Sequence, residues 1–175
     1  DEGSAYSAGL LGLRAAVRAY EKRDPTPTAL VEAICQHYGL NLASFHPELI
    51  RLAYGKPLSR AEIAGFAEVV TRLAKEGDPL ATRIVKKVAH DLASLALHAA
   101  RQLFSREESF QVAAAGGLLN AGEMIIAPLR NGFAEEFPNS RLVLGKEEPA
   151  VALGWLALHD IAENQTRKHT EETAC

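Results

Sequence analysis

The chain has 175 residues, of which 47% are hydrophobic and 23% are charged, and its formal net charge is −3 at pH 7. This length suits one domain with one sizeable core. Mixed charges without a polybasic patch argue against a nucleic-acid partner or an anionic membrane surface. The apolar runs fall short of the roughly 20 residues that a membrane span needs, and the start lacks a signal-peptide pattern. We therefore expect a soluble, cytoplasmic protein with no membrane partner.

The spacing of the cysteines and histidines predicts neither a metal site nor a disulfide framework. Cys35 lies within a helical pattern and Cys175 at the end of the sequence, so their spacing fits neither role, and a reducing compartment is expected. The six histidines lack zinc-site spacing, so we predict no metal ligands. The only methionine is Met124 and the sequence begins with Asp1, which leads us to expect further sequence upstream.

The first third of the chain predicts short helices. Apolar residues at helical spacing indicate the first of them: Leu10, Leu13, Val17 and Tyr20. This helix is expected to stop at residues 24–27, Asp-Pro-Thr-Pro. A second helix should run from Thr28 to a C-cap at Gly39. Residues 46–55 predict another short helix.

A longer helix pair follows. The stripe that begins at Ser59 contains Ile63, Phe66, Val70 and Leu73, and Gly77-Asp78-Pro79 interrupts it. Asp78 is placed to cap the next helix, and Pro79 is a permitted first-turn residue. The apolar stripe of that helix comprises Leu80, Ile84, Val88, Leu92, Leu95 and Leu103.

After this helix, the spacing of the apolar residues changes. Residues 110–115 predict a buried strand that runs into a turn at Gly116-Gly117. Asn120 and Glu123 have capping-box spacing, so a helix is expected to start there, kinked or divided by Pro128. Residues 141–144 predict a second strand, and Pro149 a last helix. Residues 164–175 are polar and aperiodic and are expected to form a disordered tail.

Two local patterns could carry chemistry. A strand, a glycine pair and a helix start allow close approach of a ligand to the backbone, but a plain turn explains Gly116-Gly117 equally well. The Asp1-Glu2-Gly3-Ser4 cluster could accept hydrogen bonds from sugar hydroxyls, although helix capping is the simpler interpretation. The two common phosphate loops, GxxxxGK[ST] and GxGxxG, do not occur.

Four stretches in register carry a family resemblance: DEGSAY at 1–6, EGDPLA at 76–81, AGGLLN at 115–120 and EPAVALG at 148–154. Across residues 1 to about 160 the chain resembles the C-terminal lobe of the N-acetylglucosamine kinase family, which includes the BadF/BadG/BcrA/BcrD-type ATPases. The resemblance implies an α/β fold: a helix-rich, ribonuclease-H-like C-terminal lobe of the actin-like ATPase fold with a small mixed sheet. Residues 1–163 would form this lobe.

Roles for individual residues follow from the resemblance alone. It implies that Asp1 and Ala5 contact the sugar. It places five residues at the nucleotide: Gly77, Gly116, Gly117, Asn120 and Ala121. The partners implied are ATP and an amino sugar such as N-acetylglucosamine, and a homodimer stays open.

The resemblance also indicates what this chain lacks. The glycine-rich phosphate and Mg²⁺ loop, the second phosphate loop and the aspartate base belong to the preceding lobe in such kinases. That aspartate would deprotonate a sugar hydroxyl for attack on the γ-phosphate of Mg-ATP. The chain alone is therefore expected to be inactive, with Mg²⁺ bound mainly by the other lobe.

Two other functions remain open. Activator ATPases of the same family hold an iron–sulfur cluster through cysteines, for which Cys35 and Cys175 are poorly placed. A catalytically silent binding or dimerisation module would keep the fold without the reaction.

Overall fold

A computed structural model describes residues 2–54, 58–145 and 151. Within residues 2–145, apart from the gap at 55–57, six α-helices and two strands follow one another, with 3₁₀ turns at Leu42–Ser44 and Gly117–Ala121. The helices are α1 Ala5–Tyr20, α2 Leu30–Tyr38, α3 Phe45–Tyr54, α4 Arg60–Lys75, α5 Pro79–Leu103 and α6 Glu123–Glu136; the strands are β1 Gln111–Ala114 and β2 Arg141–Leu144. Among the described residues, no helix has both the length and the apolarity to cross a membrane.

Local capping chemistry sets most helix ends. Gly39 ends α2 in the left-handed conformation at φ 66°, as predicted, because glycine has no Cβ to oppose it. Ser59 and Glu62 form a reciprocal capping box at the start of α4. Asp78 accepts from the backbone N–H of Ala81 and caps α5, with a proline in its first turn, which confirms that prediction.

The first helix differs from its prediction in its buried face. It begins at Ala5, capped by the Ser4 hydroxyl, which agrees with the capping interpretation of residues 1–4. The leucine stripe is only partly buried, and Tyr20 is exposed. The buried residues of α1 are small: Ala8, Gly9, Gly12 and Ala16. Small side chains allow α1 and α4 to approach closely, so an added Cβ at Gly9 would lie 1.8 Å from the Ile63 carbonyl oxygen.

The central core lies where α1, α2, α4 and α5 meet. The predicted stripe of α4 is confirmed, with Phe66, Val70 and Leu73 buried. On α5 the first half of the predicted stripe is buried, but Leu95 is 56% exposed and Leu103 71% exposed. The second half of α5 packs mainly against α6, whose buried residues are Ile125, Ile126, Leu129 and Phe133.

Both predicted strands form, and they pair in parallel with Gln111 opposite Arg141 and Ala114 opposite Leu144. The described residues thus contain a two-stranded parallel sheet rather than the expected mixed one. An aromatic cluster packs at this end of the molecule, with the rings of Phe104 and Phe110 stacked at a centroid distance of 3.9 Å. The described fold is helix-rich with a small sheet.

Two predictions around α6 were wrong, the second of them in part. Asn120 does not begin the helix through a capping box: it lies in the 3₁₀ turn, α6 starts after Gly122 without a side-chain cap, and the Glu123 carboxylate binds Arg130. Pro128 does not divide α6, which runs without a break from Glu123 to Glu136 and buries Ile126 and Leu129 on either side of the proline. The predicted helix after Pro149 and the tail at 164–175 lie outside the described residues.

Candidate functional site

A cleft of about 410 Å³ lies between the start of α1, one face of α4 and the 3₁₀ turn at Gly117–Ala121. This volume falls within the roughly 300–1,000 Å³ range of small-molecule sites. The residues that line the cleft are Ala5, Ala64, Ala67, Glu68, Thr71, Arg72, Lys75, Gly117, Leu118 and Asn120. Three of them, Ala5, Gly117 and Asn120, are residues that the sequence analysis named.

One side of α4 supplies most of the lining. Its residues recur at helical spacing, so they share a single face. From Ala64 to Lys75 the helix rises by about 16 Å, which gives the cleft an elongated shape. Small side chains at one end, including Ala5 and Ala64, leave an apolar floor, and the polar side chains follow along the helix.

The two basic side chains on this face of α4, Arg72 and Lys75, have different partners. Arg72 donates to both carboxylate oxygens of Glu76, at 3.0 and 3.2 Å. Lys75 donates instead to the backbone carbonyl oxygen of Asn120, at 2.6 Å. Among the described residues, no carboxylate pairs with Lys75, so its ammonium brings a positive charge to this end of the cleft. Glu68 adds a carboxylate nearer the middle.

The turn opposite α4 exposes backbone. Gly116 has φ 116° and ψ 159°, a conformation that only glycine adopts readily, and Gly122 at the other end has φ 72°. An added Cβ at Gly117 would meet nothing within 4 Å, and Gly117 has an ordinary φ. The backbone conformation at this position does not require glycine. The open space beside Gly117 would let a ligand come into close contact with the chain.

The remaining predicted residues lie around the cleft rather than on its lining. Gly77 joins α4 to α5 at φ 92° with open space beside it, two residues after Lys75. Gly116 immediately precedes the lining residue Gly117. Ala121 is buried, with 4% of its surface exposed, and anchors the turn in the core. Asp1 lies outside the described residues.

A second depression, about 660 Å³ and more open, adjoins the connection from α1 to α2. It contains none of the predicted site residues. Of the two acids that line it, Asp24 and Glu32, Asp24 already accepts from the Thr26 amide and pairs with Arg83. Hydrogen bonds from Thr26 and then Arg83 lower the pKa of Asp24 to about 2. An acid whose acceptors are occupied in this way leaves little for a ligand, so the cleft along α4 is the better candidate.

The model of the BadF/BadG/BcrA/BcrD ATPase family matches residues 1–151. The chain belongs to this ATPase family. The match covers most of the chain, including every residue that lines the cleft, and it confirms the resemblance drawn from the four motifs. An actin-like ATPase family is consistent with the helix-rich architecture and its small parallel sheet.

A curated relative is the N-acetylmuramic acid/N-acetylglucosamine kinase of Clostridium acetobutylicum. It is 26% identical over 150 residues, which cover 86% of this chain and 48% of the kinase. The chain therefore spans about half the length of the curated relative that it matches.

Sequence reasoning missed the side chains of α4. Glu68, Thr71, Arg72 and Lys75 form a polar stripe, and such a stripe is usually a solvated helix face. The available signal was the pair of alanines, Ala64 and Ala67, at the edge of that stripe, because small residues there leave room for a ligand. Nothing in the local pattern showed that the Gly117–Ala121 turn would face this stripe.

Proposed function

We propose that the cleft holds the adenosine portion of ATP in an enzyme that phosphorylates an amino sugar. The observation that carries the proposal is the convergence of Ala5, Gly117 and Asn120 on one cleft. Ala5 is far from Gly117 and Asn120 in sequence, and the family resemblance implies a ligand role for all three. The family match and the kinase relative support ATP as the nucleotide.

The dimensions and chemistry of the cleft suit a nucleotide. A length of about 16 Å along α4 accommodates a base, a ribose and the first phosphates. The Gly117 end offers backbone and the apolar Leu118 side chain to a base, and Glu68 and Thr71 offer polar atoms to a ribose. The Ala5 end would face the phosphates and the sugar, consistent with the role that the resemblance gives Ala5.

The proposed reaction is a phosphoryl transfer. A carboxylate base takes the proton of a sugar hydroxyl, and the sugar oxygen forms a bond to the γ-phosphorus. The bond from that phosphorus to the bridging oxygen breaks, and ADP leaves with its electrons. In this proposal the base and most Mg²⁺ contacts come from a second lobe, and the present chain binds and orients the nucleotide.

In the part that the structure describes, no three His, Cys, Asp or Glu side chains come together in the way that metal ligands do. We therefore assign no Mg²⁺ ligand here. Purified as 175 residues, the chain is expected to show no ATP-dependent phosphorylation of N-acetylglucosamine.

The amino-sugar kinase is favoured over an activator ATPase. The relative that supports it acts, by its name, on N-acetylmuramic acid and N-acetylglucosamine. Cys35 is buried within α2, and burial raises the pKa of its thiol, so it is poorly suited to hold an iron–sulfur cluster between subunits.

The Gly117→Val variant tests the nucleotide site. In the whole protein, a branched side chain at this position would occupy the ligand's space, and its Cβ would have no protein atom within 4 Å. We expect ADP affinity to fall by about tenfold or more, with KM for the sugar little changed. Titration calorimetry with ADP measures the first quantity and initial rates the second.

A matched control is Gly65→Val, because Gly65 also has open space beside it but does not line the cleft. Its ADP affinity should equal that of the wild type. Unchanged ADP affinity in a folded Gly117→Val protein would remove the glycine pair from the nucleotide site and leave it a plain turn.

The sugar role of Asp1 is a separate proposal. Ser4 already caps α1, so the capping explanation does not require Asp1. Hydrogen bonds to a charged group contribute about 1.5–3 kcal/mol each, so Asp1→Ala should lower kcat/KM for the sugar by on the order of tenfold to more than a hundredfold, with ADP affinity unchanged. Normal kinetics with a lowered melting temperature would instead show a capping residue.

A further inference from the structure

One hydrogen bond joins the two sides of the cleft. The Lys75 ammonium, in the last turn of α4, lies 2.6 Å from the carbonyl oxygen of Asn120 in the opposite turn. The two residues are 45 positions apart in sequence. A bond from a charged donor is stronger than one between neutral groups, so it can fix the separation of the two walls.

The turn that this bond reaches is bounded by conformationally permissive residues. Gly116 and Gly122 stand at its two ends, both with positive φ. Within the turn, the backbone N–H groups of Leu119 and Gly122 donate to the carbonyls of Gly116 and Leu119, at 3.1 and 2.8 Å. These bonds shape the turn internally but do not set its position against α4.

Apolar packing and a hydrogen bond supply that position. From one side, buried Ala121 ties the turn to the core, and the partly buried Leu118 and Leu119 pack against it as well. Lys75 ties it to α4 from the other, next to the residue, Gly117, whose open space faces the cleft. Neighbouring charges leave Lys75 available for this bond, because Glu76, the adjacent carboxylate, is occupied by Arg72 through two hydrogen bonds.

We propose that Lys75 is a positioning residue that holds the Gly117–Ala121 turn at the distance from α4 that the nucleotide requires. The inference rests on the proposed function, since it assigns a role within the same cleft. Lysine near a helix C-terminus also interacts favourably with the helix dipole. That ordinary role predicts a change in stability, whereas the positioning role predicts a change in nucleotide affinity and in the mobility of the turn.

The experiment compares Lys75→Met and Lys75→Arg in the whole protein, without and with ADP. For Lys75→Met we expect ADP affinity to fall about tenfold, with KM for the sugar unchanged. Hydrogen exchange in nucleotide-free protein should become faster at the amides of Leu119 and Gly122, since the turn loses its tie to α4. Lys75→Arg, which keeps a long cationic donor, should recover most of both properties.

Lys86→Met is the matched control, because Lys86 is an exposed lysine on α5 that does not line the cleft. It should leave ADP affinity and exchange in the turn unchanged. Lower ADP affinity in Lys75→Met with unchanged exchange would show direct contact with the nucleotide and overturn the positioning role. Unchanged ADP affinity would also overturn it, while failure of the wild type to bind ADP would contradict the proposed function itself.

Discussion

Glycine serves opposite purposes in two regions of this molecule. At the α1–α4 interface, Gly9 and Gly12 lie where any side chain would collide: an added Cβ would stand 1.8 Å from the Ile63 carbonyl oxygen and 2.5 Å from a Val70 methyl group. Around the cleft, Gly77, Gly116 and Gly117 have nothing within 4 Å of an added Cβ. The first pair permits close packing, and the second group leaves space open.

The difference separates structural glycines from candidate ligand glycines. A glycine in contact with a neighbouring helix is explained by packing density, because two helices can approach only as closely as their side chains allow. A glycine with a positive φ is explained by backbone conformation, as at Gly77 and Gly116. Gly117 has neither explanation and, unlike Gly65, lines the cleft, which is why we propose it as a ligand contact.

The largest effect is expected from Gly9→Ala. Its methyl group would overlap the Ile63 carbonyl, so α1 and α4 must separate and lose contacts along their length. We expect a loss of at least about 3 kcal/mol, at the upper end of overpacking effects. Thermal unfolding of the whole protein, followed by far-UV circular dichroism, measures it.

The same substitution at Gly65 provides the control. Gly65 lies within α4 with open space beside it, and alanine favours helix by about 0.5–1 kcal/mol, so Gly65→Ala should raise the melting temperature. A Gly9→Ala protein as stable as the wild type would show that the α1–α4 contact is looser than the structure indicates.

A smaller loss is expected from Asp78→Ala, at the connection between the two regions. The Asp78 carboxylate caps α5 through Ala81 and also accepts from the Thr28 hydroxyl, at 3.1 Å, and the Ala29 amide, at 2.7 Å. One side chain thus holds the starts of α5 and α2 together. Its removal should cost about 2–3 kcal/mol, as expected for a helix cap plus a charged hydrogen bond.

Asp78→Ser separates the two functions of that carboxylate. Serine is a good N-cap for α5 but is too short to bond both Ala81 and Ala29, so its melting temperature should fall between those of the wild type and Asp78→Ala. A serine variant as stable as the wild type would mean that the link to α2 contributes nothing.

The sequence predicted the elements better than their contacts. Helix ends at Gly39, Ser59 and Asp78 follow from local chemistry, so each could be recognised within a few residues. The buried face of α1 could not, because alanine and glycine carry little hydrophobic signal and their burial depends on α4. Likewise, exposure of Leu95 and Leu103 depends on what packs beside α5, which no local period describes.

The candidate site also contains residues that could be predicted and residues that could not. Gly117 and Asn120 were named through the family resemblance, since the residues alone allowed a plain turn. The α4 residues Glu68, Arg72 and Lys75 were not named, because a polar helical stripe gives no indication of the element opposite it. The capping box expected at Asn120 failed for a related reason: Gly122 lets the chain turn again before α6 begins.

The smallest effect concerns stability at the glycine pair itself, and it tests the comparison most directly. Gly116 has φ 116° and ψ 159°, a region that costs a residue with a side chain about 1–3 kcal/mol, so Gly116→Ala should lower the melting temperature. Gly117 has an ordinary φ and no neighbour within 4 Å of an added Cβ, so Gly117→Ala should change stability by less than about 0.5 kcal/mol.

Both variants are measured by thermal unfolding without nucleotide, and again with saturating ADP. Because ligand binding stabilises the folded state, ADP should raise the melting temperature of Gly117→Ala less than that of the wild type. Equal destabilisation by both alanines would place Gly117 with the structural glycines of the α1–α4 interface.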